Sequence, residues 1–349
     1  MGSEVVGGST ADRIALLLAS PLRRAVRLLR TPKSSVPTAE KVLRGAVFLP
    51  VYVLLLVPLI VRALLGRPIV VPARTRFGAK LTCRLPDLIQ TYIWIFNVWE
   101  PDLTHFIAGR LTDGDVFIDI GANIGYYSLL AAECVGTGGR VVAVEASPTV
   151  FGELQRNVLA NDFENRIREV NKAAAATAGT LTIYAGPLHN VGMSTTVQTH
   201  GMRAESTVEA LPLDQLLTSD EIASTRLIKI DVEGGEPDVV AGMTNLIKAL
   251  RADAEIVIEL SPKWWPDRQL QPVDVLRPFT EAGFNVYEMR NSYSAWRYLW
   301  LNDVSDAVRV GRELTERVSR LDLVLSRRDA DRLPIDSTML KTPQTNRTK

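Results

Sequence analysis

A chain of 349 residues has room for one large α/β domain with additions, and its 46% hydrophobic and 23% charged residues are ordinary for a globular protein. A formal net charge of +1 excludes a general nucleic-acid binder, whose binding domain is strongly basic. Two cysteines (Cys83, Cys134) and three scattered histidines (His105, His189, His200) exclude a disulfide framework and a His/Cys metal site. A reducing, cytoplasmic setting is therefore expected, with no metal.

Residues 1–12 are small and polar and predict disorder. Residues 13–30 place Ile14, Leu17, Leu18, Leu22, Val26 and Leu29 on one side at helical spacing, with Arg23, Arg24, Arg27 and Arg30 clustered elsewhere. That is the pattern of a basic amphipathic helix lying on anionic membrane. It also fits a helix packed on a globular domain with its arginines in solvent. Gly45 to Val61 then runs without one charge, at the lower limit for crossing a bilayer. Pro50 and Pro58 predict kinks, and Arg44, Arg62 and Arg67 make both flanks basic. A surface-lying or re-entrant helix on the cytoplasmic face suits two basic flanks better than a simple span. A helix buried in a soluble protein or an oligomer is the alternative. The domain reading is thus a basic segment at 1–40 and a membrane-associated helix at 41–66.

Residues 67–110 read as a hairpin turning at Phe77-Gly78-Ala79, followed by helix from Asp87 to Leu111. Within it Trp99-Glu100-Pro101 stands out, and Glu100 is a candidate to face a ligand cleft.

The stretch DVFIDIGANIGYYSLLAAECVGTGGRVVAVEAS, residues 115–147, organises the chain. Val116 to Ile120 is a strand buried on both faces, broken only by Asp119. Gly121-Ala122-Asn123-Ile124-Gly125 turns sharply, because glycine allows positive φ and asparagine tolerates it. Tyr126 to Val135 is a helix, ended by Gly136. Val141 to Val144 is the second strand, with Glu145 at its carboxyl end. A right-handed βαβ crossover brings the turn and Glu145 to one edge, where backbone amides and a ribose-binding carboxylate suit a nucleoside. The dinucleotide fingerprint fails, because Asn123 stands where its second glycine belongs. Asp119 sits badly beside a pyrophosphate and well beside the cationic S-adenosylmethionine.

Ser147-Pro148 starts the next helix. Ile167–Asn171 and Leu181–Tyr184 are strands, residues 186–207 form a polar lid-like loop containing His189, and a short strand follows within 208–217. Leu227 to Val232 is the second diagnostic strand, LIKIDV, with Lys229, Asp231 and Glu233 to one side. Strands at Glu255–Leu260 and Asn285–Met289 follow, then aromatics Tyr293, Trp296, Tyr298 and Trp300, a charged helical stretch to 320, and a last strand at Leu321–Leu325. Residues 327–349 read as a disordered tail.

DVFIDIGANIGYYS, VVAVEASP and LIKIDVEGGE together resemble the FkbM family of S-adenosylmethionine-dependent methyltransferases, over roughly residues 95–290. Trp99-Glu100-Pro101 and Ser194-Thr195-Thr196 are similar to further family segments. Gly235 departs from the family's usual alanine. The resemblance implies an α/β, class I (Rossmann-like) fold at 111–326: a seven-stranded, mostly parallel sheet with helices on both faces, behind an N-terminal hydrophobic helical extension. It implies cofactor contacts from Asp119, Gly121, Asn123 and Gly125 with their neighbours Ala122 and Tyr126, from Glu145 and Ala146, from Asp231, and from Glu100. It implies O-methylation of a sugar, a glycolipid or another natural product.

An alcohol is a poor nucleophile, so a base helps. The candidates are Asp231, Glu233, Glu259 and His189, in that order. A divalent ion on Asp231, Glu233 and Glu259 is the lesser reading, because spaced acids also pair with Lys and Arg. The competing functions are a nicotinamide-dependent oxidoreductase or epimerase and a non-catalytic, membrane-tethered nucleoside-binding protein. The expected partners are a small or lipid-linked sugar acceptor and a membrane surface.

Overall fold

A computed structural model describes residues 10–31, 36–64, 68–186, 195–197, 202–300, 303–311, 314 and 319–336. Two long helices lead, α1 (Thr10–Leu28) and α2 (Thr38–Leu64). A hairpin of β1 (Ile69–Arg74) and β2 (Lys80–Leu85) follows, paired antiparallel about the expected turn. The 87–111 segment divides into α3 (Leu88–Phe96) and α4 (Pro101–Arg110), parted by Asn97 and Glu100 at positive φ.

The central repeat is β3 (Val116–Ile120), α5 (Tyr126–Cys134), β4 (Arg140–Val144), α6 (Pro148–Leu159) and β5 (Ile167–Val170). A small side sheet then forms from β6 (Ala173–Ala174), β7 (Gly179–Ala185) and β8 (Arg203–Leu211). β8 starts five residues before the strand expected at 208, because its polar first half pairs with β7. The short α7 (Leu213–Leu216) and α8 (Ser219–Ser224) lead to β9 (Thr225–Ile230), then α9 (Glu236–Ala241), α10 (Thr244–Ala249), β10 (Glu255–Leu260), α11 (Pro272–Glu281) and β11 (Asn285–Glu288). The chain closes with β12 (Ala307–Arg309), β13 (Leu321–Ser326) and β14 (Arg332–Leu333).

Among the described residues the main sheet has nine strands, not seven, in the order β14-β12-β11-β13-β10-β9-β3-β4-β5. From β10 to β5 all neighbours are parallel, while β13 runs antiparallel between β10 and β11. The two extra strands, β12 and β14, lie beyond β11. They replace two expectations. Part of the charged stretch before 320 is strand at 307–309, and the tail is packed as far as Leu333 and Ile335, both buried. Residues 337–349 lie outside the described residues, as do 1–9.

Strand alternation divides the core. Val116, Ile118, Ile120, Ile228, Ile230, Ile256 and Ile258 face α7 and α9–α11. Phe117, Leu227 and Val257 face α3–α6 on the other side. Lys229 therefore points toward the α3–α6 layer, not toward solvent.

α1 and α2 pack on that same layer. Both helices continue through their prolines. The expected arginine face is turned inward. The Arg23 guanidinium stacks on Trp94 at 4.6 Å, and Arg27 donates to the carbonyls of Ile95 (2.9 Å) and Trp94 (3.0 Å). Those carbonyls end α3, where the helix dipole favours a cation and the backbone needs donors. Leu17, on the apolar side of the expected amphipathic helix, is 72% exposed.

Candidate active site

β3 and β9 are adjacent, and the order of connections reverses between them. In open α/β sheets this switch point opens a crevice at the strand carboxyl ends. A cleft of about 920 Å³ lies there, bordered by Gly121, Asn123, Glu145, Ala146, Asp231 and Glu233. Trp99, Lys172, Thr195, Thr196 and Tyr293 also reach it.

The glycine turn works differently from the sequence expectation. Its amides are all used by the protein. Gly121 and Ala122 donate to the Val144 carbonyl, Asn123 to Glu145 Oε2 at 2.8 Å, Ile124 to the Asn123 side chain, and Gly125 to the Ala122 carbonyl. Nor do the glycines make room for a ligand. A Cβ on Gly121 would stand 1.8 Å from the Asp231 carbonyl oxygen, and one on Gly125 would stand 2.5 Å from Leu154 Cδ1. At φ +76° and +89° both positions also demand glycine conformationally. The turn locks β3 to β4 and β9, and recognition falls to side chains.

Glu145 is the first of these. Its two oxygens accept from Ser147 N at 2.9 Å and Asn123 N at 2.8 Å, and it is 7% exposed. Burial pushes its carboxyl up to about 7, against the pull of those two donors. Asp119 is fully buried. One oxygen accepts from Ser128 Oγ at 2.7 Å, and Oδ1 has no hydrogen-bond partner. Lys229 Nζ stands 3.9 Å from that Oδ1 and 3.1 Å from Asp231 Oδ2. The acids raise the Lys229 ammonium's affinity for its proton against the cost of burial. One cation against two carboxylates leaves the cleft floor negative. A ligand carrying a sulfonium and an ammonium fits that excess charge, and a pyrophosphate does not.

Three non-glycine residues here sit at positive φ: Glu100 (38°), Asn123 (53°) and Glu233 (52°). Such strain gathers at functional sites. Glu233 follows the end of β9 and lines the cleft. Burial, with Asp231 and Glu236 nearby, raises its proton affinity. Glu236 is fully buried. It accepts from Gly234 N and the Trp265 indole, both at 2.7 Å, and so holds the 233–236 turn.

Some expected contacts lie behind the cleft wall. Glu100 is 2% exposed and accepts from Tyr127 OH at 2.5 Å and Asn291 Nδ2 at 2.6 Å. Its carboxylate joins α4, α5 and the 291–300 loop. Tyr126 packs its ring on Phe77 and places its hydroxyl 3.3 Å from Thr104 Oγ1. His189 and Ser194 lie outside the described residues.

A second cleft of about 1260 Å³ adjoins the first and shares Leu88, Glu233 and Tyr293 with it. Glu259, Trp264, Asn291, Arg320 and Asp322 are on its walls. The Tyr293 hydroxyl donates to Glu259 Oε2 at 2.9 Å, and the Arg320 guanidinium stacks on its ring at 3.8 Å. Arg320 pairs with Asp322 at 3.0 Å, and Asn291 donates to Asp322 at 2.8 Å. Burial raises the Glu259 carboxyl well above its ordinary value. Asp231, Glu233 and Glu259 each bring an oxygen within 4.8 Å of the other two. Tyr293 and Lys229 already supply donors to two of these three acids.

Sequence reasoning missed Asn291, Arg320, Asp322 and Trp264. Only the aromatic run around Tyr293 hinted that this region returns to the site.

Strands ordered β5-β4-β3-β9-β10-β13-β11 with β13 alone reversed, over an acid-floored cleft, define a class I S-adenosylmethionine-dependent methyltransferase. Residues 119–286 match the family model described as the methyltransferase FkbM domain. The chain is similar to hexuronic acid methyltransferase AglP of Haloferax volcanii, 24% identical over 185 residues, covering 52% of this chain and 69% of the relative. Among solved structures it is similar to a SAM-dependent O-methyltransferase of Thermotoga maritima, at TM-score 0.36 and 17% identity, covering 74% of this chain and 79% of that one. It is also similar to Aeropyrum pernix fibrillarin with bound S-adenosyl-L-methionine, at TM-score 0.35 and 10% identity, covering 64% and 73%. The protein is an S-adenosylmethionine-dependent methyltransferase.

Proposed function

We propose that the protein methylates a hydroxyl of a sugar, and that this sugar is carried on a lipid at the cytoplasmic face of a membrane. The observation that carries the sugar reading is the second cleft. Its walls combine the aromatic faces of Trp264 and Tyr293 with hydrogen-bonding groups from Glu259, Asn291, Arg320 and Asp322, which is the lining a polyhydroxylated ring needs. The hexuronic acid named for the Haloferax volcanii relative supports a sugar acceptor. The membrane reading is supported by α2, which from Thr38 to Arg62 is long and apolar enough to cross a bilayer by length and composition.

Bound S-adenosylmethionine supplies a methyl carbon made electrophilic by its sulfonium. The chain's own residues do the rest. Glu145 and Asp231 hold the two ends of the first cleft. Tyr293 and Glu233 stand where the clefts meet. Asp231 is engaged by Lys229, so Glu233 is the better base. Its raised proton affinity suits it to accept a hydroxyl proton near neutral pH.

The test separates binding from turnover. Glu233→Gln is expected to bind S-adenosylmethionine normally in a calorimeter, yet to transfer labelled methyl to glycolipid extracts at least about 100-fold more slowly. Glu145→Gln is expected to lose about 10–100-fold in cofactor affinity through weakened charge-assisted bonds. A folded Glu233→Gln enzyme with near-normal turnover would remove Glu233 from the chemistry. Label entering only protein or nucleic acid would defeat the sugar reading.

A further inference from the structure

Helix α2 has two faces that disagree about their surroundings. Gly45, Phe48, Tyr52, Leu55 and Leu59 recur at spacings of three and four and face the protein. Phe48 stacks on Tyr52 at 5.1 Å and meets Phe96 at 6.4 Å. Gly45 is glycine because Trp296 lies against it, and a Cβ there would stand 1.5 Å from the indole. The other face holds Val47, Val53, Leu54, Val57, Ile60 and Val61, each 46–59% exposed, with no charged residue between Arg44 and Arg62. At 3.6 residues per turn these six cover an arc of about 140°.

The charge of the chain is divided along its length. Residues 13–86 contain 14 Lys and Arg and one acid, Glu40. The rest of the chain contains 26 Lys and Arg against 38 Asp and Glu. The end that exposes the apolar arc is thus the cationic end, within an almost neutral protein.

We propose that α2 lies along an anionic bilayer, half embedded, with its outward arc among the acyl chains and its inward stripe on the methyltransferase domain. This rests on the membrane reading above and gives it a geometry. A spanning helix is ruled out by the inward stripe, since crossing would carry α1 and α3 into lipid together with the Arg27 contacts that join them. A second copy is the poorer occupant, because a two-helix seam covers a narrow stripe and would leave much of so broad an arc in water. Basic residues near an anionic surface add to the apolar burial. The 291–300 loop links this surface to the second cleft, for it rests Trp296 against Phe48 and carries Asn291 and Tyr293 in the cleft wall. A sugar borne on a lipid headgroup is the acceptor this arrangement takes.

The full chain is to be sedimented with phosphatidylcholine vesicles and with vesicles also containing phosphatidylglycerol. It is expected to bind the anionic vesicles more tightly, with only part of that binding lost in high salt. The double variant Val53→Glu, Val57→Glu is expected to bind them at least about tenfold more weakly, with unchanged calorimetric affinity for S-adenosylmethionine. On a Cys134→Ser background, a fluorophore on Val47→Cys and one on Val61→Cys should be quenched by lipid at the same shallow depth. A separation of about 20 Å along the bilayer normal, the rise of the 14 residues between the two sites, would mean a span and overturn the proposal. So would a full chain that ignores both vesicles, or one that dimerises without lipid through an interface the double variant abolishes. Each failure would leave cofactor binding intact, whereas loss of cofactor binding in the parent chain would defeat the methyltransferase reading instead.

Discussion

The cleft and the N-terminal helices handle charge in opposite ways. At the carboxyl ends of β3 and β9 the protein buries carboxylates, strains two backbone positions and places a single lysine between two acids. On α1 and α2 it turns arginines inward as caps and leaves leucine and valine outside. The first arrangement costs stability and acquires an electrostatic floor that a cationic ligand can use. The second also costs stability in water, and suits the membrane contact proposed above. Departures from the rule of apolar inside and charged outside mark where each region meets its partner.

The contrast can be broken most forcefully at Lys229. Lys229→Met removes the only cation within ion-pair distance of Asp119 among the described residues and leaves the fully buried Asp119 carboxylate unpaired beside the partly exposed Asp231. Breaking a buried pair in this way costs roughly 3–5 kcal/mol, so denaturant melts should show the largest loss of any single change considered. A variant of parental stability would mean that Asp119 is held protonated and that the floor is not negative.

A smaller effect should appear with pH. Burial raises the carboxyls of Glu145 and Glu236 to about 7, and those of Glu233, Asp322 and Glu259 also rise. The folded chain then keeps protons that the unfolded chain has released by about pH 4.5, so raising pH through this interval favours unfolding. The apo protein's melting temperature should fall by several degrees between about pH 5 and pH 8. Saturating S-adenosylmethionine, being cationic, should flatten that slope. A melting temperature that rises across the interval would contradict the burial described for these acids.

The smallest change sharpens the other half of the contrast. Arg27→Ala deletes two donors to the end of α3, worth about 1–3 kcal/mol between them. It should loosen α1 and α2, seen as faster proteolysis before residue 64, while cofactor affinity stays unchanged. Equal loosening of the β3–β9 core under hydrogen exchange would show that the two regions are one cooperative unit.

What the sequence made legible was local. The strand–turn–helix of 116–134, Glu145 at the end of β4, and Lys229 and Asp231 on one side of β9 all follow from short-range periodicity and turn chemistry. Glu100 was singled out for its place beside Pro101 just ahead of the nucleoside-binding unit, but it fastens the wall and does not line it. Asn291, Arg320 and Asp322 carried no signal because nothing near them in sequence needs them; only the closing of the sheet by β11 and β13 brings them to Glu259. Helical periodicity showed that Arg23 and Arg27 share a face without showing that α3 would cover it. The tail looked too charged to fold, and two apolar residues, Leu333 and Ile335, were enough to pack its described part, up to residue 336.

Gly121 illustrates how a motif can mislead a reader about ancestry. Its missing side chain accommodates the Asp231 carbonyl, not a ligand. A sister protein that had abandoned methyl transfer would still need that glycine for as long as it kept the same sheet. Its persistence would testify to inherited architecture and say nothing about surviving chemistry. The trustworthy markers of a working descendant are the residues the fold could discard most cheaply, the half-exposed carboxylate of Asp231 first among them.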